Sequence, residues 1–149
     1  MKSLFEKSAS DEMIARINKL TPAAQPLWGK MNAAQALAHL SISLRAASGE
    51  DTYKKGLLGI LFGGLAKKAA FGEKPFRHNV PTDKKYVVSD ERDLGVERKN
   101  LIAAVQKFSQ AGPAGITKCP HPFFGVLTVQ EWDILMWKHL DHHLRQFGV

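Results

Sequence analysis

One cysteine in 149 residues, Cys119, has no partner within the chain, so no intrachain disulfide holds this fold together. A reducing compartment, the cytoplasm, is the simpler expectation. Long hydrophobic runs are also missing. The most apolar stretch, Gly56 to Leu65, is far short of the roughly 20 residues that span a bilayer, and Lys54-Lys55 and Lys67-Lys68 flank it, so no membrane crossing is expected. At the N-terminus Glu6 and Lys7 fall where a secretory signal needs an unbroken apolar segment of about 7 to 15 residues. Acids are the scarcer charge: 14 Asp and Glu against 21 Lys and Arg leave a net charge of +7. A basic balance invites nucleic acid or another anion, but eleven of the basic residues fall between 51 and 100, interleaved with seven acids. No helix pattern carries a dense Lys/Arg face beside stacking aromatics, so nucleic acid is not the expected partner.

What is present is the material of one globular domain, residues 1–149. Hydrophobic residues make up 44% of the chain and charged residues 23%, enough to build one core without disulfides. Four helical patterns can be followed. The first starts near Ser10-Asp11-Glu12, continues through Met13, Ile14, Ile17 and Leu20, and stops at Thr21-Pro22. The second runs from Ala33 to Ala47 with Asn32 as N-cap and an apolar stripe of Ala36, Leu37, Leu40, Leu44 and Ala47. The third follows the acidic start Asp90 to Asp93 and carries Leu94, Leu101, Val105 and Phe108 up to Ala111-Gly112-Pro113. The fourth opens on a capping box, Thr128-x-x-Glu131, and repeats Trp132, Leu135, Met136, His139, Leu140 and His143 at helical spacing to about Phe147. Between the second and third, glycines and prolines from Gly49 to Tyr86 suggest a long connection with a short helix inside it, and Val87-Val88 suggest a fragment of extended chain. The fold class expected is all-α.

Six histidines are available, and their spacing carries the chemistry. His139 and His143, four apart, stand one turn from each other on a helix face and can share an ion. His142, three from His139, competes geometrically for that role. His39 lies on the apolar stripe of the second helix and could bring a third imidazole. Three neutral imidazoles suit zinc or nickel and leave a position for water or substrate. Single histidines in such places are also common as core groups or as cations at a helix C-terminus. His121, in the rigid segment Pro120 to Gly125, suits a supporting group or pocket wall. Trp28, Trp132 and Trp137 suit core or pocket lining. Cys119 is a candidate nucleophile or soft ligand, although a free cysteine is more often a small buried hydrophobe. Glu131 is accounted for by capping, and Asp141 can simply be solvated.

The residues Ala38-His39-Leu40 together with His139-x-x-x-His143-x-x-Gln146 resemble the DinB-like (YfiT-like) superfamily of metal-binding four-helix bundles. Pro26-Leu27-Trp28-Gly29-Lys30-Met31, His121-Pro122-x-Phe124-Gly125, Glu131-Trp132 and Lys138 to His143 look like an uncharacterised branch of it. The resemblance implies a four-helix bundle whose His39, His139 and His143 bind a divalent ion, often zinc or nickel. It also implies a small-molecule substrate or ligand, a low-molecular-weight thiol as a cofactor of some relatives, S-transferase or hydrolase chemistry, and homodimers. Trp28, His121, Trp132, His142 and Gln146 are the residues expected around that centre. The alternative is a bundle that binds metal or a small ligand without catalysis. Leu144-Arg145 stands where many members have Arg-Gly, and the long middle connection departs from the common pattern, which bears on specificity rather than on the ligands.

Overall fold

The computed structural model describes residues 2–52, 67, 70–72, 74–80 and 84–149. Four α-helices are found there: α1 Lys7–Asn18, α2 Ala33–Ala47, α3 Leu94–Ala111 and α4 Val129–Gln146. No strand occurs among the described residues, so the chain is all-α as expected; one isolated antiparallel bridge joins His121 to Gly125. The short helix expected in the middle connection, and the apolar stretch Gly56 to Leu65, lie outside the described residues. The described part of that connection holds a 3-10 turn at Lys84–Tyr86. No helix among the described residues is long and apolar enough to cross a membrane.

The helices begin where side chains can satisfy their first N–H groups. Asn32 Oδ1 accepts from Gln35 N at 2.9 Å while Gln35 Oε1 accepts from Asn32 N at 3.0 Å, a reciprocal capping box at the start of α2. Thr128 and Glu131 repeat it on α4, and Asp93 caps α3 by accepting from Val96 N. α1 differs from expectation: it starts three residues before Ser10, which is buried inside it. The Ser10 hydroxyl donates back to the Lys7 carbonyl at 2.9 Å instead of capping. α3 ends at Gly112, whose φ of +58° takes it out of the helical region, and Pro113 follows within a 3-10 turn.

All four helices contribute to one core. Met13 and Ile17 come from α1, Leu37, Leu40 and Leu44 from α2, Leu101, Val105 and Phe108 from α3, and Trp132, Leu135, Leu140 and Leu144 from α4. Twelve of the fifteen residues of α2 are buried, which makes it the central helix. His39 is thereby carried into the interior, where a polar ring needs partners.

A candidate metal centre

On α4 the apolar residues Leu140 and Leu144 fix the rotation of the helix about its axis. His139 and His143, each one position earlier, are then presented together toward the side where α2 brings His39. The three imidazoles form an almost equilateral triangle: ring centroids are 4.8 Å apart for His39 and His139, and 4.9 Å for each of the other two pairs. Their planes are steeply inclined, by 89°, 72° and 66°, as blades around a common axis. One ring nitrogen from each lies within 4.8 Å of the others.

Hydrogen bonds on the outer side decide which nitrogen faces inward. His39 Nδ1 lies 2.6 Å from the Tyr86 carbonyl, which can only accept, so Nδ1 carries the hydrogen and Nε2 keeps its lone pair. For His143 the same result follows through one intermediary. The carbonyl of Trp28 accepts from Gln146 Nε2 at 2.5 Å, which turns Gln146 Oε1 toward His143 Nδ1 at 2.7 Å. That oxygen also only accepts, so His143 donates from Nδ1 and bares Nε2. His139 Nε2 sits 2.9 Å from His39 Nε2. With His39 Nε2 an acceptor, that contact needs a proton on His139, or a cation shared by both lone pairs. Tetrahedral zinc with Zn–N near 2.0 to 2.1 Å requires ligand nitrogens roughly 3.3 Å apart. The separations here bracket that value, and the donor set fits a divalent ion.

Electrostatics point the same way. Burial lowers the pKa of His39, opposed by its bond to Tyr86. Burial, and then the charges of His39 and His143, put His139 well below the usual histidine range. Burial, followed by the charge of His39, pushes His143 down to about 3. The rings are therefore neutral near pH 7, as metal ligands must be. A stability consequence follows with a definite sign. The folded values lie below the unfolded one of about 6.5, so the unfolded chain binds more protons, and the contribution is complete above that pH and lost as pH falls toward about 3. Metal-free protein is expected to melt at progressively lower temperature from about pH 7 to about pH 5, above the ordinary carboxylate range. A melting temperature flat or rising across that window contradicts it.

A family model described as a protein of unknown function, DUF1569, matches residues 2–148. The chain belongs to the DUF1569 family. No curated protein and no solved structure matched the chain.

Around the histidine triangle of this DUF1569 chain, the other expected residues divide. Gln146 is buried against His143, as described, and Trp132 is buried in the core with His121 beside it at 5.3 Å between ring centroids. His121 Nδ1 accepts from the backbone N–H groups of Phe123 and Phe124 at 3.1 and 3.2 Å, which leaves the neutral ring's hydrogen on Nε2. Its ring lies parallel to Tyr86 at 6.4 Å, near enough to influence His139. His142 stays outside the triangle. It faces Trp28, Phe76 and His78, and burial followed by the charge of His78 lowers its pKa to about 4.

Two expectations need correcting. Asp141 is not solvated: it is buried, and its two oxygens meet Arg16 at 2.8 Å and Arg145 at 2.9 Å, because α1 places Arg16 against α4. Cys119 is exposed rather than a buried hydrophobe, on a turn where its N–H donates to Thr117 Oγ1, and it is not in the triangle. Sequence reasoning missed the carbonyls of Tyr86 and Trp28, which set the tautomers, because backbone groups leave no residue-type signature. Gly29 was the one available signal. Its φ is +78°, and a Cβ there would come within 2.7 Å of Gln146 Nε2.

Proposed function

We propose that this chain is a metal-dependent enzyme of the DinB-like superfamily, a four-helix bundle whose His39, His139 and His143 hold a divalent ion, zinc or nickel. The observation that carries the reading is the pair of acceptor-only carbonyls, Tyr86 and Trp28, which bare His39 Nε2 and, through Gln146, His143 Nε2 in a cluster where one ring nitrogen of each histidine lies within 4.8 Å of the others. Histidines that ligate a metal almost always donate their other ring N–H to a carbonyl, carboxylate or water in this way. The ion, when bound, supplies Lewis acidity that makes a water or a low-molecular-weight thiol nucleophilic near neutral pH.

The chain's own groups do the rest. His39 and His143 keep their orientation because both Nδ1–H groups are anchored. His121 stands at the flank of the site with Nδ1 occupied by the backbone N–H groups of Phe123 and Phe124, so that nitrogen does not serve as a base. Among the described residues the cluster comprises three ligands and not four, which supports an open, catalytic site over a closed, structural one. The test is a turnover screen with zinc-loaded and chelator-treated protein, using substitution of halide by a thiol on an activated aryl halide and hydrolysis of an activated ester. Turnover that needs the metal and disappears in His139→Ala is expected. Equal rates with and without metal would overturn the enzyme reading and leave the non-catalytic bundle.

A further inference from the structure

Lys138, Asp141, His142 and Arg145 recur at helical spacing and form a second face of α4 beside the one carrying His139 and His143. That face lines an open cleft of about 390 Å³, whose other walls include Trp28, Phe76 and Trp137. Small-ligand sites commonly occupy roughly 300 to 1,000 Å³. The cleft adjoins the triangle through two residues. His142 is the chain neighbour of His143, with ring centroids 5.1 Å apart, and Trp28 offers its carbonyl to Gln146 while its indole forms cleft wall.

Shape and charge narrow what the cleft can take. Trp28 already holds a flat five-membered ring: His78 stacks on it with centroids 3.7 Å apart and planes 8° from parallel. Phe76 packs under a cation, with Lys138 Nζ 4.8 Å from its ring centre. Lys138 is buried and gives its ammonium to the carbonyls of Ala70, Gly72 and Lys74 at 2.6 to 2.9 Å, so it shapes the wall. Asp141 has both oxygens in ion pairs and offers no open acceptor. Arg145 gives Nε to Asp141, is 61% exposed, and its terminal nitrogens take no partner among the described residues. The indole N–H groups of Trp28 and Trp137 are buried without an acceptor. Of the charged side chains that line the cleft, Lys138 and Arg145 are positive and Asp141 negative, so the lining is net positive, and the Arg145 terminal nitrogens are its unpaired charged donors among the described residues.

We infer that the cleft binds a planar aromatic anion, its ring against the indole and phenyl walls and its anionic group on the Arg145 guanidinium. Its role as the substrate pocket rests on the metal-site reading; the binding itself does not.

The experiment is isothermal titration of 2-naphthoate, cyclohexanecarboxylate and 2-naphthylmethanol into zinc-loaded and chelator-treated full-length protein. Naphthoate is expected to bind at least about tenfold more tightly than either control in both metal states. Arg145→Gln is expected to weaken naphthoate by about tenfold without changing naphthylmethanol, because only the former uses the guanidinium. Phe76→Ala weakens both aromatic probes. Asp141 retains Arg16 in the Arg145 variant, so its fold is not at stake. Equal binding of the three probes, absence of naphthoate binding, or indifference to Arg145→Gln overturns the inference. So does binding that appears only with zinc, which assigns the probe to the ion. If the protein takes up no zinc, the chelator-treated arm still reads the cleft.

Discussion

His39→Ala, His139→Ala and His143→Ala are each expected to lower zinc affinity by more than about 100-fold, beyond the 10- to 100-fold usual for groups that only support a ligand. His142→Ala is expected to stay within about threefold of wild type. The contrast follows from geometry. The first three rings form the triangle with 4.8 to 4.9 Å between centroids, while His142 turns to the Trp28 side of α4. Two ligands cannot replace three, because the remaining coordination positions must then be filled by solvent at a buried site. Competition against a chromophoric chelator reads the affinities. Loss of affinity in His142→Ala equal to that in His143→Ala would show that the wrong ring of the pair has been assigned.

The second large effect is expected one step away from the ligands. Gln146→Leu removes the acceptor from His143 Nδ1 and frees the ring to turn or to take the other tautomer, for an expected loss of about 10- to 100-fold in zinc affinity. Gly29→Ala is expected to act in the same direction through Gln146. Its Cβ would meet Gln146 Nε2 at 2.7 Å, and its φ of +78° is one that L side chains rarely adopt, adding backbone strain of about 1 to 2 kcal/mol. The double variant separates positioning from general damage. If Gly29 works through Gln146, Gly29→Ala adds nothing to zinc affinity once Gln146 is leucine, although it still lowers stability. Additive losses in affinity would contradict the relay.

How far the sequence revealed this arrangement depends on what kind of group carries each part. Helix α2 was legible to the residue because Asn32 reads as an N-cap ahead of its apolar stripe, and the start of α4 because Thr128 and Glu131 form a capping box in side chains. The start of α1 was not, since Ser10 looks like a cap in a sequence but bonds the carbonyl of Lys7 within the helix. The triangle was legible as residue types at helical spacing. The choice of His143 over His142 was open on spacing alone, and the rotation of α4 set by Leu140 and Leu144 decides it. Asp141 was misread because its partner Arg16 is distant in the chain and reaches it only through the packing of α1 on α4. The carbonyls of Tyr86 and Trp28 were invisible because every residue has one.

The same reasoning explains why the loop from Pro26 to Met31 matters more than its polarity suggests. Leu27 N donates to the Gln146 carbonyl at 2.7 Å, and the Trp28 carbonyl takes the Gln146 side chain, so this loop clasps the C-terminus of α4 from both backbone and side chain. The loop sits where α4 would otherwise fray, and fraying there would release His143.

The central claim is that three imidazoles hold one divalent ion. Elemental mass spectrometry on tag-free wild-type protein, as purified and after incubation with zinc or nickel followed by desalting, tests it most directly. The account predicts near-stoichiometric metal per chain. Protein that remains free of metal after both incubations would contradict it.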